Sequence, residues 1–322
     1  MPQLDMSLEE LREYRGSSPV PADIDAFWDN ALKELAGVDP CVEIKPADFR
    51  SPVADCYDLY FTGVGGARVY AKLLKPKNIT GRAPALLQFH GYSMNSGDWF
   101  EKLPYAAGGF VVAALDCRGQ GGKSRDTGGA GFNTLGGHII RGVDDGKENL
   151  LFKKIFLDTA QLARIIMKME DVDPDRVGCT GMSQGGGLTL ACASLVPEIR
   201  LAAPVYPFLS DYRRVWNLDL GREAYQEIRD YFRHFDPSHK HADRFFETLA
   251  YIDIQNLVHR INAEVLMFTG LMDDVCPPST QFAAYNRIRS KKNMVLYPDF
   301  SHENLPDQAD LTYRFLIKGL MP

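Results

Sequence analysis

Three observations predict an α/β fold with a mostly parallel sheet flanked by helices. From Ala85 onward, short apolar runs alternate with helical stretches, the rhythm of βαβ units with right-handed crossovers. Val177-Gly178-Cys179-Thr180 leads through Gly181-Met182-Ser183-Gln184-Gly185 into a helix of small residues, the strand, turn and helix of a nucleophile elbow. Two late strands are each followed by a loop bearing a titratable group: first Asp273 and Asp274, then His302.

Taken in order, Ser7-Leu8-Glu9-Glu10 reads as a capping box opening a short helix, and Asp23 to Leu35 carries apolar residues at helical spacing behind Pro21. Alternating runs follow at Cys41 to Ile44, Cys56 to Thr62 and Val69 to Leu74, the last two joined as antiparallel strands by Gly63-Val64-Gly65-Gly66. Ala85 to Phe89 and Phe110 to Leu115 read as buried strands, with a helical stretch near Tyr105 between them. Then come a helix over Lys153 to Met169, the Val177 to Thr180 strand, a helix over Gln184 to Val196 and a strand over Leu201 to Val205. Residues from about 207 to 260 change to charged, aromatic-rich helical segments, an insertion placed to cap a pocket. The strand rhythm resumes with Val265 to Phe268, a helix from Pro278 to Ile288, a strand over Met294 to Tyr297 and a final helix from Leu305 to Leu320. No repeat, low-complexity tract or Pro/Ser-rich linker interrupts the chain. Residues 1–322 are therefore expected to form one domain, with 1–40 as an N-terminal helical extension.

With 36 Lys and Arg against 42 Asp and Glu, the net charge of -6 offers no attraction to phosphate backbones or anionic lipid, so neither nucleic acid nor membrane is an expected partner. The first residues carry acids and no apolar core of a secretory signal, and no apolar run reaches membrane-spanning length. Six cysteines are scattered without metal-ligand spacing, which fits buried free thiols in a reducing cytoplasm.

A serine hydroxyl needs a general base in hydrogen-bond reach, itself oriented by a third group. The chain order Ser183, Asp, His302 is that of the α/β-hydrolase fold. Of the seven histidines, His302 alone follows the last strand; His234, His239, His241 and His259 lie in the insertion, and His90 and His138 lie in glycine-containing loops. Spacing leaves Asp273 and Asp274 both open. Developing negative charge on a carbonyl oxygen calls for preorganised N–H donors, commonly worth about 3 kcal/mol each. In this fold they are the backbone N–H after the nucleophile, here Gln184, and one from the loop after an early strand, here Tyr92 in Phe89-His90-Gly91-Tyr92. The glycine-rich Arg118-Gly119-Gln120 segment completes no phosphate-binding motif, and Arg118 is expected to pair a carboxylate and brace the neighbouring loops.

Arg118-Gly119-Gln120, Gly181-Met182-Ser183-Gln184-Gly185 and His302-Glu303, in this order, resemble the signature of carbohydrate esterase family 7, the acetyl xylan esterases and cephalosporin C deacetylases. The similarity extends through Pro2-Gln3-Leu4-Asp5-Met6, His90-Gly91-Tyr92, Tyr206-Pro207-Phe208-Leu209-Ser210 and Gly270-Leu271-Met272-Asp273 to Pro277-Pro278-Ser279-Thr280. The resemblance implies a cytoplasmic, cofactor-free and metal-free serine esterase that deacetylates short acetylated xylo-oligosaccharides and cephalosporin C. It assigns Ser183 as nucleophile, His302 as base, Asp273 as orienting acid, and Tyr92 and Gln184 as oxyanion donors. Tyr206 and Pro207 would wall a small acyl pocket, and self-association would give a homohexamer with sites facing an internal cavity. Two rivals are another carboxylesterase or peptidase on the same fold, since fold does not set substrate, and a catalytically silent binding protein.

Overall fold

The computed structural model describes residues 4–79, 81–128 and 133–321; Pro2 and Gln3 of the N-terminal motif lie outside them. At the N-terminus, α1 (Leu8–Glu13) is opened by a complete capping box: the Ser7 side chain and the Glu10 carboxylate each take up the other's backbone N–H. Helix α2 (Ile24–Ala36) buries Phe27, Trp28, Ala31 and Leu35.

Strands β1 (Glu43–Pro46), β2 (Ala54–Thr62) and β3 (Arg68–Pro76) form an antiparallel meander. The first of these starts later than the Cys41 run suggests. Cys41 sits at φ 40° with its N–H donated to the Asp39 carboxylate, a local turn that precludes extended backbone. Then follow β4 (Ala83–Phe89), α3 (Leu103–Ala107), β5 (Val111–Asp116), α4 (Leu151–Met167), β6 (Val172–Met182), α5 (Gln184–Leu195) and β7 (Leu201–Val205). The insertion supplies α6 (Tyr212–Asn217), α7 (Gln226–Phe235) and α8 (Ala242–Leu249), packed around Trp216, Phe232, Phe245 and Phe246. The chain closes with β8 (Glu264–Gly270), α9 (Pro278–Arg287), β9 (Lys292–Tyr297) and α10 (Gln308–Leu320).

All nine strands of the described residues join one sheet in the order β1-β2-β3-β5-β4-β6-β7-β8-β9, parallel from β5 through β9. Alternate strand residues serve opposite faces. Leu87, Ala113 and Cys179 meet α4, α5 and the insertion in the larger core, where Trp28 of α2 stacks on Phe156 of α4. Leu86, Val112 and Leu201 meet Ala106, Leu316 and Leu320 beneath α3 and α10. Full burial of each of the Leu, Val and Phe side chains contributes roughly 1.5–3 kcal/mol.

The strand order places the site. Because β4 lies between β5 and β6, the loops leaving the carboxyl ends of these three strands converge at the point where the connections diverge. Those loops carry His90-Gly91-Tyr92, Arg118-Gly119-Gln120 and Ser183.

Candidate active site

Ser183 stands between β6 and α5 at φ 56° and ψ -119°, a backbone region that L-residues rarely occupy and that costs of order 1–3 kcal/mol. The surroundings hold it there. Its N–H donates to Val205 O at 3.0 Å, and its carbonyl accepts from Gly187 N and Phe208 N, both at 3.0 Å. The flanking glycines are sterically required: a Cβ on Gly181 would lie 2.6 Å from Gly185 O, and one on Gly185 would lie 2.1 Å from Phe89 O.

The loops after β8 and β9 bring Asp273 and His302 together, with His302 Nδ1 at 2.9 Å from Asp273 Oδ2. Asp273 is fully buried. Its Oδ1 accepts from the N–H groups of Val275 and Cys276 at 3.0 and 2.7 Å, and Gln281 Nε2 donates to its Oδ2 at 3.3 Å. Asp274 points away, accepting from Ser301 Oγ at 3.2 Å and pairing with exposed Arg222 at 3.3 Å. The two neighbours that spacing leaves open are thus separated by direction: Asp273 faces the histidine and Asp274 faces solvent.

Cys276, which the sequence reading does not single out, lies beside this pair. Its sulfur and the donor atoms of Asp273 and His302 all lie within 4.8 Å of one another. Burial, and then the neighbouring Asp273 charge, push the thiol well above its ordinary value, so the sulfur stands beside the pair as an uncharged thiol.

On the opposite side, the backbone N–H groups of Tyr92 and Gln184 donate to no main-chain carbonyl outside helices and strands among the described residues. Gln184 is the first residue of α5, where helix N–H groups lack intrahelical partners. Side chains hold both segments in register. Gln120 Oε1 accepts from Ser93 N at 2.9 Å, and Gln120 and Gln184 exchange amide hydrogen bonds of 2.8 and 3.1 Å. Half-buried His90 donates through Nδ1 to Gly91 O at 2.7 Å and accepts the Cys117 N–H at Nε2, 2.9 Å away; desolvation lowers its pKa and favours the neutral ring.

Arg118 braces the same loops from below. It is fully buried, and its Nε and Nη2 each donate to the Asp158 carboxylate of α4 at 2.6 Å, while Nη1 donates to Val64 O at 2.8 Å. Gly119 follows at φ 71°, in the left-handed region that suits glycine. The carboxylate expected for Arg118 is therefore Asp158, legible in sequence as a lone acid on the apolar face of its helix.

The insertion joins the site through Glu227 of α7, which no sequence signal marks. Its carboxyl accepts from the Tyr92 hydroxyl and from Ile139 N and Ile140 N at 2.7 and 3.1 Å. Ser183 and His302 open onto one cavity of about 950 Å³, also walled by Tyr206 and by Glu223 and Ala224 of the insertion. The Tyr206 ring lies 4.5 Å from the His302 ring. Pro207, expected beside Tyr206, is not among the lining residues; its backbone packs against Gly186 of α5, where a Cβ would sit 3.0 Å from Pro207 Cα.

A largely parallel sheet with an elbow serine after β6 and a histidine and its acid after the last two strands defines an α/β-hydrolase. The profile of the acetyl xylan esterase (AXE1) family matches residues 1–319, and the chain belongs to that family. It is 58% identical to acetyl xylan esterase 1 from Thermoanaerobacterium sp. JW/SL YS485, with a TM-score of 0.95 over 99% of this chain and 100% of the other. An acetyl xylan esterase from Paenibacillus sp. R4 is 34% identical, with a TM-score of 0.92 over 98% and 100% of the two chains. The acetyl esterase Axe7A of Xylanibacter ruminicola is 27% identical across 93% of this chain and 67% of its own length.

Proposed function

We propose that the chain is a serine esterase that removes acetyl groups from small substrates such as acetylated xylo-oligosaccharides and cephalosporin C, through an acetyl-serine intermediate. The observation that carries this reading is the strained Ser183 sharing a cavity wall with His302, whose Nδ1 is engaged by buried Asp273. With Nδ1 committed to Asp273, Nε2 is the nitrogen left to act on the serine.

Ser183 Oγ attacks the acetyl carbonyl carbon as its proton passes to His302 Nε2. The oxyanion that forms accepts from the backbone N–H groups of Tyr92 and Gln184. Collapse breaks the ester C–O bond, and the proton on Nε2 leaves with the alcohol. Water then attacks the acetyl-serine, again with His302 as base, releasing acetate and restoring Ser183. Asp273 stays ionised throughout, holding the imidazole in one tautomer. Tyr206, its ring tilted against that of His302, walls the acyl side in this reading.

Acetate release from acetylated xylo-oligosaccharides and from cephalosporin C, compared between wild type and Ser183→Ala, tests this. Release lost in the variant is expected; turnover retained without the hydroxyl refutes the covalent route.

The same reading makes the protein a cytoplasmic homohexamer. Five buried free cysteines favour a reducing compartment. Met94, Phe100 and Leu135 are 63%, 74% and 78% exposed, large apolar side chains suited to cover by another copy. Light scattering on the purified chain should find a particle six times the mass of one chain.

A further inference from the structure

The loop that carries Asp273 runs directly into α9, and that helix opens without a cap of its own. The first N–H groups of a helix have no intrahelical partner. At this opening stand Pro277 and Pro278, which supply neither an N–H nor a side-chain acceptor. Thr280 N and Gln281 N reach back to Pro277 O at 2.9 and 3.4 Å, which leaves Ser279 N to be met from elsewhere. Its acceptor comes from 274 residues away in the chain, Asp5 Oδ2 at 2.8 Å. The other oxygen of Asp5 pairs with Arg214 of α6 at 2.5 Å, and Arg214 Nε donates to Ser279 Oγ at 3.2 Å, so the three residues form one knot. The Asp5 side chain has no exposed surface. A carboxylate is rarely so deeply buried unless it is paired.

The same N-terminal segment grips the other end of the loop. Leu11 of α1 packs in one cluster with Leu271, two residues before Asp273, and with Phe282 of α9. Asn286 Nδ2 of α9 donates to Leu11 O and Tyr14 O at 2.9 and 2.7 Å, closing the C-terminal end of α1. Residues 5 to 14 thus hold residues 271 to 286 at both ends. Between these grips stand the groups that fix Asp273, namely Val275 N, Cys276 N and Gln281 Nε2. Gln281 lies two residues beyond Ser279 in the first turn of α9, so a shift at the start of the helix carries its amide with it.

We propose that Asp5 is a positioning residue for the acid of the triad, acting through the first turn of α9 to keep Gln281 and the 273–276 turn in place and Asp273 Oδ2 directed at His302. The inference rests on the reading of Ser183, Asp273 and His302 as the esterase triad. Without the Asp5 carboxylate, Ser279 N and Arg214 lose their shared partner, and α9 frays at the end that carries Gln281. Asp273 then keeps its place in the chain but loses its fixed direction. The loss falls on turnover and not on substrate binding, because none of Asp5, Ser279 and Gln281 lines the cavity.

The experiment compares Asp5→Ala with Tyr14→Phe in the full chain. Tyr14→Phe removes a different anchor of the same segment, the 2.7 Å bond from its hydroxyl to buried Asp211, and leaves the Asp5 knot intact. Steady-state kinetics on p-nitrophenyl acetate are read below the thermal transition of every variant. For Asp5→Ala, kcat is expected to fall about tenfold with KM within about twofold of wild type. For Tyr14→Phe both constants should stay within about twofold, even where its thermal transition falls as far. Asp5→Asn retains an acceptor for Ser279 N and should lose about threefold in kcat, which carries the test if the alanine variant does not fold. Equal kcat losses in Asp5→Ala and Tyr14→Phe, no loss in either Asp5 variant, or a loss confined to KM overturn the proposal. Hydrogen exchange judges the same claim without turnover. Amides of residues 271–282 should exchange about tenfold faster in Asp5→Ala and at the wild-type rate in Tyr14→Phe. Unchanged exchange in Asp5→Ala overturns the positioning role, whereas failure of wild type to hydrolyse any ester counts against the esterase reading.

Discussion

Gln120 and Gln184 face each other amide to amide, 64 residues apart in the chain, with hydrogen bonds of 2.8 and 3.1 Å. Gln120 also accepts the Ser93 N–H at 2.9 Å, so one side chain ties the loop after β4 to the first turn of α5. These two segments carry the proposed oxyanion donors Tyr92 and Gln184. Gln120→Ala is expected to lower kcat on p-nitrophenyl acetate by about tenfold or more, since small misplacements of preorganised donors are costly. KM should stay nearly unchanged in steady-state kinetics; a loss confined to KM would contradict the positioning role.

The neighbouring acids should separate sharply. Asp273→Asn leaves the buried site filled but presents the histidine with an amide in place of a carboxylate, and kcat is expected to fall by about 10⁴-fold. Asp274→Asn touches only a surface pair with Arg222 and the Ser301 hydroxyl, and should leave kcat within about twofold. Parallel assays of the two variants decide the assignment.

Arg118→Met strands the fully buried Asp158 carboxylate without its cation. Urea unfolding should register a loss of about 3–5 kcal/mol. The double variant Arg118→Met/Asp158→Leu removes both charges of that pair but leaves buried Asp126, 3.8 Å from Arg118 Nη1, without its cation, and should recover only part of that loss.

The elbow stores backbone strain at the proposed nucleophile. Ser183→Gly and Ser183→Ala should both be inactive, but glycine accepts φ 56° without a Cβ penalty. The glycine variant is therefore expected to be more stable than the alanine variant by about 1 kcal/mol in chemical denaturation, part of the strain being offset by greater freedom of the unfolded chain.

Glu227 makes stability depend on pH in the direction opposite to a salt-bridged acid. Burial pushes its carboxyl from 4.5 up to about 7, against the opposing hydrogen bond from Tyr92. Between about pH 4.5 and 7 the native state thus holds a proton that the unfolded chain has released, so this contribution to stability is full below 4.5 and is lost as pH rises through 7. Glu227→Gln should flatten the decline in unfolding free energy from pH 5 to 7 relative to wild type, by of order 1–3 kcal/mol. An unchanged slope would show that Glu227 does not titrate there.

Much of the molecule was legible from local pattern. The capping box at Ser7, the strand Leu201–Val205, the helix beginning at Gln184 and the elbow glycines were each specified by neighbours within a few residues. Where the structure departs from the alternation the cause is local: Cys41, at φ 40°, turns instead of extending, and apolar alternation carries no φ sign. Pro207, which the resemblance places with Tyr206 at the acyl pocket, packs its backbone against Gly186, the chain turning at Tyr206, φ 30°.

By itself the sequence determined the alternation of strands and helices, the order Ser183, Asp, His302 along the chain and the elbow that exposes the serine, because periodicity and glycine placement act over one or two turns of backbone. Only the tertiary structure decided that Asp273 rather than Asp274 meets His302, that Arg118 finds Asp158, and that Glu227 reaches the Tyr92 hydroxyl. Those partners are 29 to 135 residues apart or differ only in the direction of a side chain. Their meeting depends on β4 lying between β5 and β6 and on which face of the sheet each residue serves, and no local stretch of chain encodes either.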